Sequence, residues 1–214
     1  MRGYVANNRL SEANMSTIIS EIEGLYRTNP RADVTSILTS ILLNLLAAQH
    51  TLFDTFVILH AGFVAALYRV VGLDLAAYLV QTLVERFDAL YGEEGKDSVN
   101  MVVFLSELYN FGVVGAGLVF DFIRMFLGRL DEFDTEVLLK IIQNSGQQLR
   151  QEDPSALKEI VILMQSRIDE IGQSNLTYVP ATSGLTVVFV QSSWSRRSSI
   201  LRITAQKQQL PPPS

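Results

Sequence analysis

The chain of 214 residues contains no cysteine and only two histidines. The missing thiols exclude disulfide frameworks and thiolate metal centres. His50 and His60 lie on apolar helical stretches, where a core or hairpin-edge role is the reading rather than a metal pair. A basic excess is also lacking. Net charge is −5 and the isoelectric point is near 5.1, so no positive field gathers nucleic-acid phosphates. An acidic balance is compatible with a basic protein partner and is equally common in acidic soluble domains. Charged residues make up 18% and hydrophobic ones 48%, so most of the chain can be buried rather than disordered.

An uninterrupted membrane run is absent as well, although mean hydropathy is +0.24. Residues 34–53 carry no Asp, Glu, Lys or Arg and are about long enough to span a bilayer. However, Thr35, Ser36, Thr39, Ser40, Asn44, Gln49, His50 and Thr51 load that run with polar groups, and Asp54, His60, Arg69 and Asp74 follow. The N-terminus lacks the basic-then-apolar layout of a signal peptide. The expectation is a buried helix array with no membrane association.

Catalytic signatures are missing too. Gly112, Gly115 and Gly117 follow a helical segment and precede no Gly-Lys-Ser/Thr, so they do not make a phosphate loop. Close helix packing is their expected role. No Gly-x-Ser-x-Gly or His-Glu-x-x-His occurs, and the acids of "LDEFDTE" suit a helix start better than a carboxylate pair. The chain reads as a non-enzyme without a cofactor.

What is present is helical periodicity. Met15, Ile18, Ile19, Ile22, Leu25 and Tyr26 recur at three- and four-residue steps, as do Leu157, Ile160, Val161, Met164 and Ile168. Pro30 ends the first helix, Asp33 caps the second, and Asp153 with Pro154 marks a third start. The pattern predicts helices over 8–28, 34–49, 52–71, 74–91, 98–110, 113–129, 134–149 and 154–171. Paired as hairpins they repeat at roughly 40 residues, the length of HEAT-type repeats. The fold class is thus all-α, a solenoid of stacked antiparallel hairpins over residues 1–176. In "FLSELYNFGVV" (104–114), Phe104, Leu105, Leu108 and Phe111 form a buried stripe, Gly112 permits the corner, and Asn110 caps it.

Four blocks carry a family resemblance: "NRLSEANMSTIISEIEGLYR" (8–27), "DTFVILHAGFVAALYRVVGLDLAAYLVQTLVERF" (54–87), "FLSELYNFGVV" (104–114) and "LLKIIQNSGQQLRQEDPSALKEIVILMQSRI" (138–168). In this order they resemble the middle domain of initiation factor 4G, the MIF4G fold, and its nucleolar branch in particular. The resemblance implies a five-pair HEAT-like array that binds a DEAD-box RNA helicase of the initiation-factor-4A type. For the nucleolar branch it implies work on pre-ribosomal particles in the nucleolus or nucleus, during pre-ribosomal RNA processing for the small subunit, with any RNA contact indirect. It also implies a helicase contact at Asn8 and Arg9, where relatives carry Asn, a basic residue and an aliphatic. A splicing or translation-initiation relative is the alternative within the family, and a helical holder of an apolar ligand the alternative outside it.

Topology adds candidates at turns, where polar groups have reach. These are Arg27, Asn29 and Arg31 in the first turn, Asp131, Glu132 and Asp134 before the fourth pair, and Gln148, Arg150 and Asp153 within it. Residues 177–214 depart from the pattern, turning to Ser, Thr, Gln and Pro. Disorder is one reading, with Arg196, Arg197 and Ser199 resembling a basophilic kinase site. The preferred one is a mis-spliced or mispredicted fifth hairpin. A frame shift over 193–205 can yield Phe-Met-Val-Glu-Thr-Ile-Ile-Asn-Leu-Lys-Asn-Asn-Arg, close to the family's missing helix.

Overall fold

A computed structural model describes residues 10–48, 54–91 and 96–174. Every regular element among them is a helix: α1 (Met15–Thr28), α2 (Arg31–Ala47), α3 (Asp54–Val71), α4 (Leu73–Leu90), α5 (Lys96–Asn110), α6 (Ala116–Arg129), α7 (Glu132–Glu152) and α8 (Pro154–Ser174). No described helix is long and apolar enough to cross a membrane.

The helices pair as hairpins α1/α2, α3/α4, α5/α6 and α7/α8, and successive hairpins stack. Each odd helix packs on the next odd one, from α1 through α3 and α5 to α7, and α2 packs on α4 as α6 does on α8. The all-α repeat solenoid follows from this register. Each hairpin has apolar surface that only its neighbours can cover.

Local chemistry sets the boundaries. Residues 10–14 precede α1, where the Ser11 N–H donates to Asn14 Oδ1 at 2.7 Å and the Asn14 N–H donates to Ser11 Oγ at 3.3 Å. The first helix therefore starts at Met15 rather than near residue 8. Pro30, not Asp33, takes the N-cap position of α2, since its fixed φ fits a helix entry. Asp33 falls in the first turn, where its charge still meets the positive end of the helix. Asp153 caps α8 as expected, its Oδ1 accepting the Ala156 N–H at 2.9 Å.

The stripe of Phe104, Leu105, Leu108 and Phe111 is buried, but so is every residue from Met101 to Tyr109. Helix α5 is the axis of the core, with α2, α3, α4, α6 and α7 packed around it. Gly112 ends it at φ +72, a left-handed backbone that favours glycine. There the Gly112 N–H donates to Tyr109 O and the Val113 N–H to Leu108 O, both at 2.9 Å, a Schellman closure. The corner thus satisfies itself through the backbone, and Asn110 serves elsewhere. Its Nδ2 donates to Asn144 O of α7 at 3.1 Å and to Glu107 Oε2 at 3.2 Å.

Gly115 and Gly117 do not mark a close crossing, because a Cβ built on either meets no atom within 4 Å. Leu25 and Val161, expected in the buried stripes, are 39% and 54% exposed. Both stripes are narrower than their apolar runs. His60 is buried, with Nδ1 2.7 Å from Phe56 O, and burial lowers its pKa, so the neutral ring is favoured. His50 lies outside the described residues.

Candidate functional site

Alternating chain direction sorts the connections onto two edges of the array. The corners inside hairpins, at residues 29–30, 72, 111–115 and 153, share one edge. The opposite helix ends, where one hairpin passes to the next, share the other. Of the candidates, Arg27, Asn29, Arg31, Gln148, Arg150 and Asp153 belong to the first edge. Asp131, Glu132 and Asp134 belong to the second. Two of the three turn groups thus share an edge, at its opposite ends, and the third lies on the other.

On the corner edge, Arg31 is the best-held cation. Its Nη2 donates to Val71 O at 2.7 Å, it stands 3.9 Å from Asp74 Oδ2, and its guanidinium lies 5.3 Å from the Tyr26 ring centroid. It ties the first corner to the second and occupies a carbonyl left open at the end of α3. Arg27 is the more available group, 72% exposed and, among the described residues, paired along its own helix with Glu23 at 2.7 Å. Asn29 turns its amide back to Leu25 O at 3.0 Å, capping α1. At the far end Gln148 donates to Tyr109 O at 3.3 Å, and Asp153 is spent on the α8 cap. Arg150 is exposed.

The same corner contains a group the sequence did not single out. The Tyr109 phenol, 1% exposed, donates to Glu152 Oε2 at 2.8 Å. Burial first, then the carboxylate, push its pKa well above the ordinary tyrosine value. Ser145 Oγ donates to Ser106 O at 3.1 Å in the same seam, so the α5–α7 contact is held by side chains reaching backbone carbonyls.

The link edge differs in character. Asp131 caps α7 by accepting the Asp134 N–H at 2.9 Å, and Glu132 is exposed as expected. Asp134 is a correction. It is fully buried and unavailable to a partner as the fold stands. Its Oδ1 accepts the Tyr91 hydroxyl at 2.9 Å, while Oδ2 has no hydrogen-bond partner. Burial, above all, raises its pKa over the usual carboxylate range. Arg129 completes the cluster, bonded to Asp131 Oδ2 at 2.5 Å, 4.0 Å from Asp134 Oδ2 and 5.0 Å from the Tyr91 ring centroid. Behind Tyr91 stand Phe87, Phe126 and Phe133, with centroids 5.4, 5.9 and 6.2 Å away. Tyr91 and Arg129 were legible only as a tyrosine before the charged "GEEGK" and an arginine two residues before Asp131.

Asn8 and Arg9, and the whole of 177–214, lie outside the described residues. Among the described residues no group of three or more His, Cys, Asp and Glu could hold a metal ion.

The family model described as MIF4G domain matches residues 7–177. Suppressor of glycerol defect protein 1 of Schizosaccharomyces pombe is 47% identical over 164 residues, covering 73% of this chain and 21% of that protein. The protein of the same name from Saccharomyces cerevisiae is 37% identical over 166 residues, 72% of this chain and 18% of that one. Nucleolar MIF4G domain-containing protein 1 of Homo sapiens is 34% identical over 167 residues, 77% of this chain and 19% of its own. The chain spans about a fifth of the length of these relatives.

Proposed function

The chain belongs to the MIF4G domain family, and on that premise we propose that it is an interaction scaffold that binds and stimulates a DEAD-box RNA helicase of the initiation-factor-4A type. The setting proposed is the nucleolus, in pre-ribosomal RNA processing and assembly of the small ribosomal subunit. The word "nucleolar" in the human relative's name supports that setting. A stacked array with polar groups at both ends of one edge supports the scaffold. Arg27 and Arg31 stand at its first corner and Arg150 at its last. This shared edge is the observation that carries the reading.

A helicase of this class has two mobile lobes, and its ATP site closes between them. A stiff array touching both lobes raises their effective concentration for each other. It accelerates turnover only by binding the closed arrangement better than the open one. All phosphate chemistry stays in the helicase. Asn8 and Arg9 are the proposed contact at the N-terminal end, and Arg27 is a proposed contact at the first corner. Arg150 serves the other end. Asn29, Gln148 and Asp153, occupied in capping and packing, shape the edge rather than reach across it.

The test is RNA-dependent ATP hydrolysis by such a helicase, with and without the full chain. The expected result is faster turnover with the chain, no hydrolysis by the chain alone, and weaker binding after Arg9→Glu. Unchanged turnover at saturating chain overturns the reading. Unchanged affinity of Arg9→Glu removes that residue from the site.

A further inference from the structure

The geometry points to the link edge as a seat for an arginine-rich segment of a partner protein, with Arg129 as the internal occupant that yields to it. A guanidinium is recognised by carboxylates that meet its planar fork and by an aromatic face on which it can lie. Asp131, Asp134 and Tyr91, drawn from the start of α7 and the end of α4, supply all three groups to Arg129, and of the carboxylates there Asp131 and Glu132 are the ones open to solvent.

Arg129 fills this seat incompletely. It bonds Asp131 and lies over Tyr91, but its Nε stops 4.0 Å from Asp134 Oδ2, beyond hydrogen-bond distance. That oxygen is wholly buried and without a donor. A buried acceptor left in this state costs free energy, so the arrangement favours any shift that supplies a proton donor. Asp131, by contrast, is 40% exposed, and Arg129 is 55% exposed. An arginine arriving from outside takes Asp131, with exposed Glu132 as its second carboxylate. Arg129 is then released to close on Asp134.

Charge on the surrounding edge agrees. Among the described residues there, Asp88, Glu132 and Glu136 are exposed beside Arg129, and Lys96 opens α5 on the same edge. Such a field attracts a basic peptide and repels nucleic-acid phosphates. Arginine is preferred over lysine, because a point charge cannot span two carboxylates as the fork does. The inference rests on the chain being an interaction module and names the partner chemistry of one edge. It does not require the partner to be a helicase.

The experiment uses the full chain and two fluorescent peptides, an Arg-Gly repeat and a Lys-Gly repeat of equal length, read by anisotropy at low and physiological salt. The arginine peptide is expected to bind several-fold more tightly than the lysine one. The double change Asp131→Asn and Glu132→Gln is expected to weaken it about tenfold, the order seen when close charge pairs are removed. Asn remains a good N-cap, so α7 keeps its start. If that variant nevertheless melts early, Glu132→Gln with Glu136→Gln decides instead. Asp74→Asn, on the opposite edge, is expected to change nothing. No binding, equal affinity for both peptides, or an equal loss from Asp74→Asn overturns the proposal. Helicase stimulation is measured separately. Its failure with the arginine preference intact removes the helicase reading and leaves the seat.

Discussion

Replacing Tyr109 with phenylalanine removes one oxygen and leaves a buried ring in place. The phenol donates to the Glu152 carboxylate at 2.8 Å, across the α5–α7 contact at the corner edge. Hydrogen bonds to charged groups contribute roughly 1.5–3 kcal/mol net. Glu152 is exposed and regains water when its donor is lost, so the bottom of that range applies, about 1.5 kcal/mol. For a chain of this size that corresponds to a fall in Tm of about 3–5 °C. Urea unfolding followed by circular dichroism, on Tyr109→Phe, Glu152→Gln and the pair, isolates the interaction. A coupling near 1 kcal/mol is expected for two groups in direct contact, on the order found for such pairs. The phenol also gives a pH signature. Its folded pKa is raised, so its contribution is full below the ordinary tyrosine value near 10 and is lost as pH climbs further. The variant therefore loses less stability than the parent above pH 10. Purely additive effects with an identical alkaline profile would refute this account of the corner.

The remaining predictions follow the same residues. Burial, aided by Asp134, pushes the Tyr91 phenol up to about 12, so Tyr91→Phe also flattens the loss of stability that sets in above pH 10, read by alkaline melting curves. Asp134 has a raised folded pKa, so its contribution is present below the ordinary carboxylate value and fades as pH rises through the folded one. Asp134→Asn should consequently gain on the parent in thermal melts as pH rises above the ordinary carboxylate value. Gly24→Ala and Gly117→Ala lie in helices with open space around them, and each should add about 0.5–1 kcal/mol in urea titration. Gly112→Ala, at φ +72, should instead cost about 1–2 kcal/mol by the same method.

The fold was legible because period and punctuation agreed. Pro30 and the Asp153–Pro154 pair ended and began helices where their chemistry requires, and the apolar stripes faced the stack. Boundaries moved where backbone satisfied itself, as at Gly112, or where Ser11 and Asn14 bonded each other and delayed α1. Polar residues were harder to read. Asp134 and Asn110 sit among charges or at a helix end, and nothing in their neighbours of sequence says that the end of α4 or α7 supplies their partners from 43 or 34 residues away, respectively. The first turn was placed correctly, but Gln148 and Arg150 lie inside α7, which runs on to Glu152, and sequence could not tell that Arg31 and Gln148 are held by neighbouring hairpins.

The account turns on one array engaging two lobes of a partner. Fluorescent labels on the two lobes of an initiation-factor-4A-type helicase report their closure by energy transfer, with RNA and ATP present, as the chain is added. A rise in the closed fraction that saturates with binding, and is blunted by Arg9→Glu, is the predicted result. Tight binding with no change in the closed fraction would contradict it.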